Sequence, residues 1–289
     1  MILVDLNQVM ISNLMMQLGS NKNAPIDEDL VRHMVLNSLR MYRQKFGEEY
    51  GTFVLCCDDK KYWRKDVFPY YKAHRKKDRQ ESGLDWYTIF SCIDKIKDEL
   101  RQFFPYKVIK VAGAEADDII GALCEKFGHL GITNGSAEPI LILSGDKDFI
   151  QLQKYANVEQ YSPIAKKFIR TSNPAAFIKE HIMRGDRGDG IPNFLSDDNT
   201  FVSGKRQKPL TAKKLNTWIG LEPEEFCNDD MLNRYKRNQE LVDLDFIPPR
   251  IKEEAVSAYE EYDAPGREHL LNYFIKNRLK NLMDHIGDF

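Results

Sequence analysis

At 289 residues the chain is too long for a disulfide-stapled miniprotein, and long enough for one large α/β domain or a medium domain with a smaller companion. Hydrophobic residues make up 42% and charged residues 30%, which fits a packed core under a polar surface. Lys and Arg number 42 against 44 Asp and Glu, so the formal charge of −2 gives no global pull toward nucleic acid, although such a total can average an acidic pocket with a basic patch. The five cysteines (Cys56, Cys57, Cys92, Cys124 and Cys227) form no CxxC pair and are odd in number, so they are expected to stay reduced in a cytoplasmic setting. No apolar run approaches the roughly 20 residues of a membrane helix, and Met1 leads directly into an apolar run without a basic leader, so no membrane association is expected.

In chain order, Ile2 to Val4 form a short apolar run ending at Asp5, and Thr52 to Cys57 form another ending at Asp58; both read as buried strands. Between them Leu30, Val31, Met34, Val35, Leu39, Tyr42 and Phe46 recur at helical spacing, with Asp27 or Asp29 available as the cap. Strand, helix, strand is a βαβ unit and predicts a parallel sheet. A helix follows over about Leu84 to Phe104, then a strand over Lys107 to Val111, a helix opening near Glu115, and a strand over Ile140 to Leu143 running into Ser144-Gly145-Asp146. Three strands thus deliver carboxylates just past their ends, the edge where open α/β sheets bind ligands. After about Thr171 the β-branched runs stop, so residues 1–171 read as an α/β domain and residues 172–289 as a smaller, mainly helical one. Asn173-Pro174 caps its first helix, and the glycines of Arg184 to Gly190 end it.

The chemistry lies in a set of nine acids at these positions: Asp5, Asp58, Glu115, Asp117, Asp118, Asp146, Asp148, Asp186 and Asp189. Glu115 and Asp118 are three apart on one helix face, and Asp146 and Asp148 are two apart in an extended segment. Converging carboxylates without a cation would repel and raise one another's pKa, whereas Mg²⁺ takes several carboxylate oxygens and keeps room for water and phosphate. Two cations about 4 Å apart suit phosphodiester hydrolysis. With no His or Cys cluster for zinc and no GxxxxGK[ST] loop, such hydrolysis fits better than NTP chemistry. Taken alone, Asp186 and Asp189 also fit the plain role of turn residues.

Directly after Asp58-Asp59, residues 60–79 carry nine Lys/Arg against two Asp, a local net of +7. Lys60, Lys61, Trp63, Arg64, Tyr71, Lys72, Arg75, Lys76 and Lys77 interleave charge with aromatic rings, a composition suited to phosphate contact and base stacking. A second basic cluster, with Lys205, Arg206 and Lys208, reads equally as a grip on a duplex or as ordinary surface.

The ordered motifs ILVDLNQ, VLCCDDKKYWRKDVFPYYKAHR, AGAEADDIIGAL, LSGDKDFIQL, MRGDRGDGIPN and NRYKRNQELVDLDFIP span nearly the whole chain. Together they resemble the flap endonuclease/5′ nuclease family, in its phage RNase H type. The resemblance implies a PIN-like nuclease domain with a mainly parallel central sheet flanked by helices, and a helical domain containing a helix-three-turn-helix element. It implies a Mg²⁺-dependent 5′ to 3′ exonuclease and flap endonuclease, with Mn²⁺ able to substitute, that removes RNA primers and adjacent DNA from RNA–DNA and DNA duplexes in lagging-strand replication. By motif, Asp5, Asp58, Glu115, Asp117 and Asp146 match first-metal positions, and Asp148, Asp186 and Asp189 match second-metal positions. Asp118 matches an acid acting through water, Arg64 and Lys72 match residues that steady the scissile phosphate, and Tyr71 is placed for stacking. Residues 60–82 correspond to the arch over a 5′ single strand.

The family usually has a second glycine-rich hairpin of the form GxxGIGxKxA. Residues 194–200 depart from it, which leaves its monovalent-cation site and duplex grip open. The implied partners are a single-stranded DNA-binding protein on the helical domain and, although Asp284 to Phe289 make a poor clamp peptide, a sliding clamp; the chain is expected to be monomeric. Two other functions compete: a PIN-type ribonuclease on free RNA, which would need neither arm nor helical domain, and a non-catalytic structure-specific DNA-binding protein, which would lack some of the acids.

Overall fold

The computed structural model of the chain describes residues 1–19, 25–130 and 137–289. The first half runs β1 (Ile2–Asp5), α1 (Leu6–Leu18), α2 (Glu28–Tyr50), β2 (Phe53–Cys57), α3 (Arg64–Val67), α4 (Arg75–Glu81), α5 (Trp86–Phe103), β3 (Lys107–Lys110), α6 (Ala116–Phe127) and β4 (Ile140–Leu143). A 3-10 helix (Lys147–Lys154), β5 (Val158–Ser162) and β6 (Lys167–Ile169) follow. The helical half holds α7 (Pro174–Arg184), α8 (Ala212–Trp218), α9 (Pro223–Phe226), α10 (Asp229–Val242), α11 (Pro249–Glu260), α12 (Leu270–Lys276) and α13 (Lys280–Met283).

The strands form one sheet in the order β3-β2-β1-β4-β5-β6, parallel except for β6, which is antiparallel to β5. Both faces are covered, which is why the strands read as unbroken apolar runs. Ile2, Val4, Leu55 and Leu141 point into the core shared with α1, α2 and α5, while Leu3, Val54, Cys56 and Ile142 point into the core shared with α6 and α11. The chain reverses direction across the sheet between β1 and β4, so the crevice at their carboxyl ends is the switch point of the fold.

Three elements differ from the sequence reading, the first being residues 147–154, which form a 3-10 helix capped by Asp146 where an extended segment is expected. Helix α1 was not expected, because its run LNQVMISNLMMQL is apolar on nearly every side and shows no 3.6-residue stripe. It starts where Asp5 caps it, accepting from the Gln8 amide at 3.0 Å. The β5–β6 hairpin was not expected either, since Glu159 and Gln160 interrupt its apolar pattern; Gln160 is nonetheless fully buried and donates to the carbonyls of Ser144 and Asp146.

The helical half packs partly on itself and partly on the sheet. Helices α7, α8, α9 and α10 close a small core around Ile182, Met183, Phe194, Leu195, Leu215 and Tyr235. Beyond α10 the chain returns to the sheet. Ile251 and Ala255 of α11 join the core of α6, and Leu270, Tyr273, Phe274 and Leu282 join that of α2 and α5. Phe289 is fully buried against Phe104 and Phe274, whereas Asp284, His285 and Gly287 before it are exposed. Between α7 and α8 the chain turns repeatedly, with bonds from Gly190 N to Arg187 O, Ser196 N to Asn193 O, Thr200 N to Asp197 O and Gly204 N to Phe201 O. Residues 194–200, where the family hairpin was missing, are held by Phe194 in the small core and by Asp197 and Asp198, which pair with Arg234 and Arg237 of α10.

Candidate active site

Each acid reaches the switch point for a local reason. Asp5 ends β1 and caps α1. Asp58 follows β2; one of its oxygens accepts the Ala116 amide at 2.7 Å and the other accepts from the Asn7 side chain. Glu115 is the cap residue of α6, which places Asp117 in the first turn. Asp146 caps the 3-10 helix and accepts the Asp148 amide at 3.0 Å. Asp186 and Asp189 sit in the turn after α7, where Asp186 accepts the Asp189 amide at 2.9 Å. That turn requires Gly185, whose φ is +65° and where a Cβ would stand 2.3 Å from the Ile191 carbonyl oxygen.

These eight carboxylates line a single cleft of about 550 Å³. Its opposite wall is built by Lys72, Arg75 and Arg79 of the arm and by Trp86, Phe90, Asp94 and Lys97 on one face of α5. Burial pushes Asp5 up to about 7, with Asp58 and Asp146 adding repulsion. Burial and Asp148 push Asp146 up to about 6, and burial with Asp146 and Asp5 holds Asp117 well above the carboxylate range. Burial and Asp148 also raise Asp186. Asp189 behaves oppositely: burial alone would raise it, but Lys72, Arg75 and the Tyr71 hydroxyl hold it below the usual range.

The arm is tied to the acids. Lys72 Nζ pairs with Glu115 and, at 3.4 Å, with Asp189, and its amide donates to the Asp189 carbonyl at 2.7 Å. Arg75 pairs with Asp189 at 2.6 Å and donates to the Gly188 carbonyl. Lys60, Lys61, Lys76, Lys77, Lys205, Arg206 and Lys208 are exposed.

Four expected site residues are placed elsewhere. Asp118 is fully buried and away from the cleft; it accepts the Glu115 amide at 2.8 Å, pairs with Arg64 at 2.8 Å and accepts from the Trp63 indole, so it shapes the start of α6. Arg64 is 3% exposed, with Nε on the Leu241 carbonyl and Nη1 on Asp118 and Glu115, so it ties the arm to the start of α6 and to α10. Tyr71 is 2% exposed, with its hydroxyl on Glu115 and Asp189 at 2.8 Å each, so its ring has no free face for a base. Trp63 packs beside the α6 core under Arg64. Density of charge and aromatic rings could not separate these inward residues from outward ones, because the short helices α3 and α4 fold the arm back on itself.

Other residues of the cleft escaped the sequence reading. Asn7 and Gln8 line it from α1. Outside the lining but touching it, His181 on the last turn of α7 places Nε2 2.7 Å from Asp148 Oδ1. The α5 face was legible in principle: Trp86, Phe90, Ile93 and Lys97 follow helical spacing next to the buried stripe.

Comparison with known proteins adds independent findings. Residues 2–181 match the family described as 5′-3′ exonuclease, N-terminal resolvase-like domain, and residues 173–289 match T4 RNase H, C terminal. The chain is 34% identical over 298 positions to Ribonuclease H of Enterobacteria phage T4, covering 99% of this chain and 95% of that protein. It is 30% identical over 140 positions to a 5′-3′ exonuclease of Buchnera aphidicola, covering 46% and 44% of the two chains. Among solved structures, a bacteriophage T5 5′-exonuclease with divalent zinc bound superposes with a TM-score of 0.58 at 18% identity, over 97% of this chain and 98% of that one. A T5 flap endonuclease in a pseudo-enzyme-product complex with DNA and metal ions gives 0.56 at 18% identity, over 90% and 93%.

Proposed function

The chain belongs to the 5′-3′ exonuclease family, and on that premise we propose that it is a 5′ to 3′ exonuclease and flap endonuclease that trims RNA–DNA and DNA duplexes from 5′ ends, with Mg²⁺ as its ion. Like its relatives it is a nuclease, a metal-dependent hydrolase of phosphodiester bonds. The observation that carries the finer reading is the convergence of eight carboxylates on one cleft at the switch point of the sheet.

The residues fit divalent cations. The donors on the floor are oxygens, as hard ions require. Burial raises Asp5, Asp117 and Asp146 while no salt bridge among the described residues relieves them, and the buried Asn7 Oδ1 has no hydrogen-bond partner. Asp5, Asp58, Glu115, Asp117 and Asp146 would hold one ion, and Asp148, Asp186 and Asp189 a second. Such ions supply an activated water and charge neutralisation at the phosphate.

The protein's own groups do the rest. Lys72 and Arg75 are positioned to take a phosphate oxygen in exchange for Glu115 and Asp189, and a guanidinium or ammonium aimed at developing charge lowers the barrier. Arg79, stacked over Trp86 and Phe90 at 5.6 and 5.1 Å, offers the aromatic and cationic surface that Tyr71 does not. The exposed Lys76 and Lys77 would follow the backbone of the single strand.

The test is competition for cleavage between a 5′-flap duplex and single-stranded RNA of the same sequence, with Mg²⁺ and with chelator. The expected result is preferred cleavage at the flap base, abolished by chelator. Preference for the free RNA would replace this reading with a PIN-type ribonuclease.

A further inference from the structure

The cleft is not chemically uniform. On the floor every candidate donor is an oxygen, but at the end formed by the 3-10 helix and the turn after α7 a nitrogen stands beside the lining carboxylates Asp148 and Asp186, on His181, which does not itself line the cleft. His181, Asp148 and Asp186 each place one ligand-type atom so that all three lie within 4.8 Å of one another. Nε2 of His181 stands 2.7 Å from Asp148 Oδ1 and 3.7 Å from Asp186 Oδ2. In an octahedral shell with bonds of about 2.1 Å, neighbouring donors sit ~3 Å apart, a separation these two distances straddle.

The placement follows from the fold. The last turn of α7 presents His181 toward the 3-10 helix, and the left-handed Gly185 reverses the chain so that Asp186 comes back beside the same imidazole. The Phe177 ring, one turn earlier on α7, packs against the imidazole at 5.8 Å and limits its rotation. His181 is 13% exposed, with its Nε2 facing the carboxylates.

We propose that His181 Nε2 is a direct ligand of the second cation, together with Asp148 and Asp186, and that this mixed nitrogen and oxygen set makes the second site favour Mn²⁺ over Mg²⁺. The inference rests on the two-cation reading above. Imidazole nitrogen raises affinity for transition ions along the Irving–Williams order and adds little for Mg²⁺, which keeps oxygen and water ligands. The floor set, all oxygen, carries no such preference.

The experiment uses the full chain without nucleic acid. Titration with Mn²⁺, followed by the paramagnetic signal of the free ion, counts the sites. Electron spin echo modulation of the loaded protein then reads ¹⁴N in the first coordination shell. Wild type is expected to bind two Mn²⁺ and to show the coupling of a directly bound imidazole, converted to the ¹⁵N pattern by labelling the histidines. His181→Gln should lose that coupling and weaken the second Mn²⁺ by about tenfold, while Mg²⁺ affinity changes less than about threefold. Binding of Mn²⁺ with no imidazole coupling in wild type would overturn the proposal and leave His181 as a hydrogen-bond partner of Asp148. Absence of Mn²⁺ binding would overturn the two-cation reading itself. The wild-type and labelled spectra decide the matter even where the variant folds poorly.

Discussion

The two sides of the cleft solve the same electrostatic problem differently. On the floor, Asp5, Asp117 and Asp146 are desolvated and raised, with no salt bridge among the described residues. On the arm side, Glu115 is held by Lys72, Arg64 and Tyr71, and Asp189 by Lys72, Arg75 and Tyr71, so the protein supplies its own cations. The contrast teaches that folding neutralises one wall with its own cations and leaves the carboxyls of the other desolvated and mutually repelling, so that their charged form calls for an added cation. It also separates two kinds of residue in the arm: Lys72, Arg64 and Tyr71 fasten it, whereas Lys76, Lys77 and Arg79 lie exposed toward solvent, Lys77 with only a long surface pair to Glu81 at 3.7 Å.

Substituting the floor should have the largest effect. Asp146→Asn is expected to reduce cleavage of a 5′-flap duplex by at least ~10³-fold, since the ion it helps hold supplies several kcal/mol of transition-state stabilisation, while duplex binding stays measurable. The same substitution should stabilise the metal-free fold. Asp146 is raised to about 6 in the folded protein, so between its ordinary value near 3.8 and 6 the folded state binds more protons than the unfolded one, and stability falls as pH rises. Metal-free Asp146→Asn should therefore melt like wild type near pH 4 and gain an advantage that reaches about 2–3 kcal/mol above pH 7. Equal melting curves at both pH values would remove the contrast between the walls.

On the arm side the sign inverts. Lys72→Ala leaves Glu115 and Asp189 with fewer cations, and breaking a buried pair costs about 3 kcal/mol, measurable by denaturant unfolding without metal. The cost should vanish at low pH, because the depressed Asp189 contributes its stability above the ordinary carboxylate value and loses it as pH falls below. A variant as stable as wild type at pH 7 would show that the arm side is not self-neutralised.

The smallest effect belongs to the outer arm. Lys77→Ala should leave unfolding unchanged and lower the slope of log binding constant against log salt by about 1, as expected for one lost phosphate contact. An unchanged slope would place the substrate path elsewhere.

The two walls were not equally legible from sequence. Floor acids could be read because strand periodicity dictates where a strand ends, and an acid just past that end has only one edge of the sheet to occupy; Asp5, Asp58 and Asp146 follow from this alone. The turn acids Asp186 and Asp189 were ambiguous in isolation, since a glycine-rich turn accounts for both, and only the packing of α7 against the 3-10 helix brings them in. The arm misled because Arg64, Trp63 and Tyr71 carry the same residue types as the exposed cations around them, and burial there depends on contacts with α6 and α10 more than 40 positions away. Asp118 was drawn into the acidic set by its spacing from Glu115, which is equally the spacing of a capping box. His181 gave no signal at all, being a lone histidine on a helix.

On the reading proposed above, the floor acids, without salt bridges among the described residues, hold a divalent cation. Anomalous scattering from crystals soaked in Mn²⁺ tests it most directly. The expected result is a peak within about 2.2 Å of carboxylate oxygens from Asp5, Asp117 or Asp146, with a second toward Asp148 and Asp186. Density confined to the protein surface, with the floor carboxylates still facing one another unbridged, would contradict it.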